Sequence, residues 1–232
     1  MPWGQRIAGY WEAFLRLLYP STCGVCRKGL ALDESVLCRD CRKKLETQKR
    51  PPHKRPLHGR WRALDEAWAL YSYEPPVRDL LTAVKFARER WNLELFYAEL
   101  GLWAAVLHAE NTYSAVIPIP MERMRLVHRQ FNQAALLAKA VSRFSHIPVK
   151  MGLLKKRRRT LVQSRLSRAQ RLHNLDRTFK AGPEQAIRGK CFLLVDDILT
   201  TGSTANAAAQ TLKRKGALKV DILSVAYTER RA

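Results

Sequence analysis

The segment "KCFLLVDDILTTGST" (190–204) passes from an unbroken apolar run to two adjacent aspartates, then to hydroxyls and a glycine. A short apolar run without polar alternation suits a strand buried on both faces, as in the parallel sheet of an α/β fold. Neighbouring segments keep the same rhythm. "AWALYSY" (67–73), "YSAVIPIP" (113–120), "IPVKMGLL" (147–154) and "KVDILSVAY" (219–227) read as strands. The second of these stops where Pro118 and Pro120 remove ladder donors. Segments 77–90, 93–110, 132–144 and 204–216 read as helices, with Asn132 as an N-cap and Gly216 closing the last. Strands alternating with helices predict a mostly parallel α/β sheet flanked by helices, with ligands beyond the carboxyl ends of its strands.

At such a strand end, Asp196 and Asp197 can accept hydrogen bonds from a vicinal diol. Thr200, Thr201, Gly202, Ser203 and Thr204 follow where a helix starts, and N–H groups, hydroxyls and the helix dipole there cradle a phosphate. Gly202 admits a positive φ and a close backbone approach. One motif therefore grips both a sugar's hydroxyls and its phosphate. Capping a helix accounts for one aspartate but not for a pair.

The formal net charge is +22, and its location matters more than its size. Residues 123–175 hold 14 Lys/Arg and no Asp or Glu, and residues 37–62 hold 10 Lys/Arg against Asp40 and Glu46. These two segments carry the whole excess. Positive potential concentrated in this way attracts phosphates, although two solvated basic faces are the plainer alternative.

Cysteine usage marks a separate module. "CGVC" (Cys23, Cys26) and "CRDC" (Cys38, Cys41) are two C-x2-C pairs separated by eleven residues. Two such pairs complete a tetrahedron of thiolates around zinc, and four thiolates leave no open position for catalysis, so the metal is structural. Cys191 begins an apolar run and reads as a strand residue. The domain reading is an amphipathic helix over 1–20, a four-cysteine zinc module over 21–50, a basic Pro-containing linker over 51–66 and the α/β domain over 67–232. No stretch reaches the roughly 18 apolar residues of a membrane span. The best one, 93–110, is broken by Glu94, Glu99 and His108. No cleavage site follows the N-terminal apolar segment, so the chain reads as cytoplasmic.

With these residues in place, "LLVDDILTTGST" (193–204) resembles the phosphoribosyl-pyrophosphate (PRPP) motif of type I phosphoribosyltransferases. Three further blocks make the chain similar to the ComF family. They are the four-cysteine module, "PIPMERMRLVHRQFNQA" (118–134) and "RRRTLVQSRLSRAQRLHNL" (157–175), the last with T-x-x-Q and R-x-x-N spacing at Thr160, Gln163, Arg171 and Asn174. The resemblance covers nearly the whole chain in the same order. One position departs: the family usually reads R-G-F-N-Q where this chain has Arg129-Gln130-Phe131-Asn132-Gln133.

The resemblance implies a type I phosphoribosyltransferase-like fold in which Asp196 and Asp197, the catalytic pair, hold the ribose hydroxyls of PRPP. Residues 200–204 then hold the 5′-phosphate, and the loop after "VIPIP" is the pyrophosphate loop, with Arg123, Arg125 and Arg129 beside the leaving group. Mg²⁺ accompanies PRPP, bound through few protein ligands plus substrate phosphates. The block 155–175 forms part of the cover over the site. Its cations, Lys155, Lys156, Arg157, Arg158, Arg159, Arg165, Arg168 and Arg171, exceed what one pyrophosphate needs and suggest a longer polyanion. Single-stranded DNA fits, because the family is implicated in handling DNA taken up in natural transformation. Two readings stay open: a phosphoribosyltransferase with an unknown nitrogen acceptor, and a PRPP- and DNA-binding protein of the DNA-uptake machinery without catalysis.

Overall fold

The computed structural model of the chain describes residues 21–49, 53–54, 63–157 and 178–228. The expected helix over 1–20, most of the linker and the block 158–177 lie outside the described residues. Two compact units emerge. Among the described residues, one gathers 21–49 with 74–92, and the other gathers 53–54, 63–73, 93–157 and 178–228.

The first unit holds helix α1 (Arg39–Thr47), and its later helix is given below in chain order. Two chain reversals precede α1, closed by Arg27 N–H to Cys23 O at 3.0 Å and Gly24 N–H to Val36 O at 2.9 Å. The second unit is the α/β domain. Strand β1 (His53–Lys54) pairs antiparallel with β2 (Ala67–Ser72). Helix α2 (Val77–Phe86) belongs to the first unit and buries Val77, Leu80, Leu81 and Val84, an i, i+3, i+4, i+7 stripe.

Helix α3 (Glu94–Asn111) leads to β3 (Ala115–Pro118), then α4 (Arg123–Arg129) and α5 (Gln133–Ser145) follow. A two-stranded antiparallel sheet of β4 (Leu154–Lys156) and β5 (Phe179–Ala181) precedes β6 (Cys191–Leu199), α6 (Ser203–Lys213) and β7 (Lys219–Tyr227). The main sheet runs β1-β2-β7-β6-β3, and every pairing except β1 with β2 is parallel. Among the described residues, no helix is long and apolar enough to cross a membrane.

The sheet is covered on both faces, which is why β6 and β7 read as continuous apolar runs. Ala67, Ala69, Ala115, Ile117, Phe192, Leu194, Val220 and Ile222 share one core with Ala205, Ala208, Ala209 and Leu212 of α6. Helices α3 and α5 pack on each other, with α5 against β3 and β6 and α3 against β7. To the main sheet the segment 147–154, expected as a strand, contributes only an isolated parallel bridge, Val149 with Val116, while its last residue, Leu154, opens β4. Pro148 has no N–H to donate, so it supplies its carbonyl to Val116 N–H, and Lys150 N–H returns to Val116 O. A turn at Met151 and Gly152 then ends the pairing.

Near the amino end of β7, Asp221 is fully buried. Tyr113 donates its hydroxyl to Asp221 Oδ2, and Lys219 Nζ lies 3.4 Å from the same oxygen. Asp221 Oδ1 has no partner among the described residues. Burial raises the Asp221 pKa, and the bond from Tyr113 and the charge of Lys219 only partly oppose it. A carboxyl group with a raised native pKa contributes stability at low pH. That contribution is lost as pH climbs from the unfolded value of about 4 through the native one. Asp221→Asn keeps an acceptor for Tyr113 and removes the titration. Denaturant midpoints measured between pH 4 and 8 should therefore decline less steeply in the variant than in the parent, and equal slopes would refute the assignment.

Candidate functional site

Pro118 sets the geometry of the site. Its ring ends β3 opposite Val195, after which Ile119 N–H still reaches Val195 O at 2.9 Å. Strand β6 continues beside β7 to Leu199, opposite Tyr227, two residues beyond the expected strand end. Among the described residues, β6 from Asp196 onward thus pairs on one side only. In open α/β sheets, ligands bind beyond the carboxyl ends of such strands.

Asp196 is half-buried and Asp197 is 9% exposed. Each carboxylate bonds the next backbone N–H: Asp196 Oδ1 accepts from Asp197 N at 2.9 Å, and Asp197 Oδ1 accepts from Ile198 N at 2.8 Å. These bonds orient the pair, and a carboxylate with two oxygens keeps further acceptor capacity. Immediately beyond, Gly202 adopts φ 67 and stands at the N-cap of α6, with Asn206 N–H to Gly202 O at 2.8 Å as the first helical bond. The hydroxyls of Thr201 and Ser203 lie 3.0 Å apart. Thr200, Thr201, Ser203 and Thr204 are all exposed. A helix's first N–H groups have no intrahelical acceptor, so this loop presents donors and hydroxyls together. Asn206 Oδ1 accepts from Ala63 N–H at 3.0 Å, anchoring the first turn of α6.

Because β3 and β6 are parallel neighbours, the segments after them leave at the same edge. Helix α4, which carries Arg123, Arg125 and Arg129 in its sequence, therefore follows β3 from the same edge of the sheet as the aspartates of β6. Arg125 is exposed and Arg129 is half-buried. The loop between β3 and α5 is closed at its base by Asn132, which uses both ends of its amide. Its Oδ1 accepts from Ala134 N–H at 3.1 Å, and its Nδ2 donates to Ile119 O at 3.1 Å. The sequence marked Asn132 only as a cap. The second bond had one signal: serine caps through its single hydroxyl, whereas asparagine carries an acceptor oxygen and a separate NH2 donor that can bond two groups at once. Lys155 and Lys156 lie on β4, and Arg157 follows it exposed, while Arg158, Arg159, Arg165, Arg168 and Arg171 fall outside the described residues.

In the other unit, the ligand atoms of Cys23, Cys26, Cys38 and Cys41 lie within 4.8 Å of one another. Cys26 Sγ and Cys38 Sγ are 3.7 Å apart, against about 3.8 Å for the edge of a tetrahedral zinc–thiolate site. Burial opposes ionisation of Cys23, but N–H groups of Cys38, Cys26 and Val25 outweigh it and bring the thiol down to about 6. The donor set fits a closed structural metal site.

The profile of the family described as "Phosphoribosyl transferase domain" matches residues 132–232, so the α/β unit is a phosphoribosyltransferase-like domain. The chain is 31% identical to DNA utilization protein YhgH of Escherichia coli, over 91% of this chain and 99% of that one. It is 28% identical to competence protein F of Haemophilus influenzae, covering 88% and 96% of the two chains. Competence protein ComFC of Bacillus subtilis is 28% identical over 79% of this chain and 80% of its own. The chain belongs to the ComF family.

Gln130, where the resemblance leads one to expect glycine, adopts φ 66 and ψ −10 at the C-cap of α4, its N–H bonded to Leu126 O at 2.7 Å. Left-handed backbone costs an L-residue about 1–2 kcal/mol, and glycine escapes this at some cost in unfolded-state entropy. Gln130→Gly should leave folding stability unchanged or raise it by about 1 kcal/mol, whereas Gln130→Val should lower it by at least as much. Urea unfolding measures both. A glycine variant less stable than the parent by more than about 1 kcal/mol contradicts the strained position.

Proposed function

We propose that the carboxyl edge of the sheet binds PRPP and that the chain transfers its phosphoribosyl group to a nitrogen acceptor, releasing pyrophosphate. The observation that carries this reading is the carboxylate pair on β6 beyond the end of β3, followed at once by a left-handed glycine entering a helix N-terminus. Asp196 and Asp197 accept hydrogen bonds from the ribose 2′- and 3′-hydroxyls. The loop 200–204 holds the 5′-phosphate through N–H groups and hydroxyls. In the reaction the C1′–O bond to pyrophosphate breaks with its electron pair going to the leaving group, the acceptor's lone pair forms the new bond at C1′, and the acceptor's N–H proton is released to solvent. Arg125 and Arg129 stabilise the charge that develops on the departing pyrophosphate. When bound, Mg²⁺ adds charge neutralisation at the same phosphates. Zinc at the four cysteines is structural, and the chain acts in the cytoplasm, where those thiols remain reduced.

The names of the relatives, with their DNA utilization and competence, support a role in handling incoming DNA. The acid-free segment 123–175 supports contact with a single-stranded polynucleotide. A second reading keeps the PRPP pocket without turnover, in a DNA-uptake protein. Gln130 favours it, because a strained residue at the foot of the pyrophosphate loop weakens that loop's grip.

Replacing both Asp196 and Asp197 by Asn keeps shape and removes the charged acceptors, which make the stronger hydrogen bonds. Calorimetry with PRPP and Mg²⁺ should show at least a tenfold loss of affinity, about 1.4 kcal/mol. Undiminished binding in a folded double variant rejects the site.

A further inference from the structure

Two amides stand side by side at the entry to α5, and only one of them is fully used. Asn132 bonds through both ends of its side chain, to Ala134 N–H and to Ile119 O. Gln133, the first residue of α5, is 2% exposed, yet its Nε2 has no hydrogen-bond partner among the described residues. A buried donor without an acceptor forfeits the bond it made to water in the unfolded chain, so each one in a native fold calls for an explanation. An apolar side chain would fill the position without that cost, as Leu137 and Val141 do on the same face one and two turns later.

The neighbourhood supplies an explanation. Gln133 directly follows the loop 119–132, which leaves β3 at the carboxyl edge of the sheet. Both ends of this loop are pinned, by Ile119 N–H on Val195 O and by Asn132 Nδ2 on Ile119 O. Apolar packing does not hold its middle: on α4, Met124 is 77% exposed, Val127 is 79% exposed, and Leu126 is exposed as well. The helix ends at Gln130, whose left-handed backbone stores strain. The loop is therefore fixed at its ends, unpacked in its middle and strained at one turn.

We propose that Gln133 is a positioning residue for this loop: when the loop closes on a bound pyrophosphate group, one of its carbonyls becomes the acceptor for Gln133 Nε2. The free chain carries the unpaired donor and the liganded chain pairs it. A bond made only in the liganded state adds to affinity without stabilising the free fold, because it is a difference between the two states. The side chain is too deeply buried to touch the ligand, so it acts through the loop's backbone. The inference rests on the reading of this edge as a PRPP site and assigns a residue which that reading leaves unused.

Calorimetry of the full chain with PRPP and with pyrophosphate, each with Mg²⁺, tests it when paired with urea unfolding of the free chain. Gln133→Met keeps the side chain's length and removes the donor. It should bind both ligands about fivefold more weakly, the worth of one hydrogen bond, while its urea midpoint equals or exceeds the parent's. A residue that merely holds the fold together would lower the midpoint instead. A second measurement needs no substitution: in the ¹⁵N-labelled parent, the Gln133 side-chain amide should shift and exchange more slowly once PRPP and Mg²⁺ saturate the chain. If the parent binds neither ligand, the PRPP reading itself fails, and the role of Gln133 with it. If the parent binds and Gln133→Met binds equally well, the site stands and the assignment of Gln133 is wrong. A lowered midpoint in Gln133→Met, or an amide signal that ligand leaves unchanged, also overturns the proposal.

Discussion

The parallel pairing of β6 with β3 ends at Val195 opposite Pro118, whereas its pairing with β7 continues to Leu199 opposite Tyr227. That mismatch in length is the constraint on which the candidate site depends. Had β3 run as far as β7, the backbone beyond Val195 would be closed in on both sides. Because β3 stops, β6 carries Asp196 and Asp197 past its pairing with β3, and the segment after Pro118 is released to form the arginine-bearing helix α4. The same parallel order delivers the N-terminus of α6 to that edge, so the carboxylates, the start of α6 and the arginine-bearing helix all follow the carboxyl ends of neighbouring parallel strands.

Two asparagines keep this edge in shape. Asn132 ties the exit of β3 to the entry of α5, and Asn206 ties the first turn of α6 to residue 63. Each replaces water on a backbone group that the strand and helix ends would otherwise leave unpaired. Function at such an edge requires the loops to be held open but not loose. Gln130 sits at the one place in the β3–α5 loop where the backbone turns left-handed, and it departs from the residue that accepts that conformation without strain.

Much of this was legible in the sequence because the signals were local. The apolar runs of β6 and β7, the prolines after β3, the Asn132 cap and the two C-x2-C pairs all depend on residues close in the chain. What the sequence could not carry was non-local. Residues 147–154 look like a strand, yet Pro148 and the turn at Gly152 allow only one bridge beside Val116. The grouping of 74–92 with the cysteine-bearing unit rests on Gly24 meeting Asn92 and on Arg27 meeting Glu89, contacts between residues more than sixty positions apart. Nothing local in the sequence marks Asp221; its role as the buried acceptor for Tyr113 appears only when the two are brought together.

Amide hydrogen exchange with and without PRPP and Mg²⁺ tests the central claim most directly, because it reads each backbone donor without altering a residue. The account predicts slower exchange at residues 196–204 and in the loop 119–132, with α1 and the cysteine turns unchanged. Unaltered exchange at 200–204 under saturating PRPP, or protection appearing elsewhere instead, would contradict it.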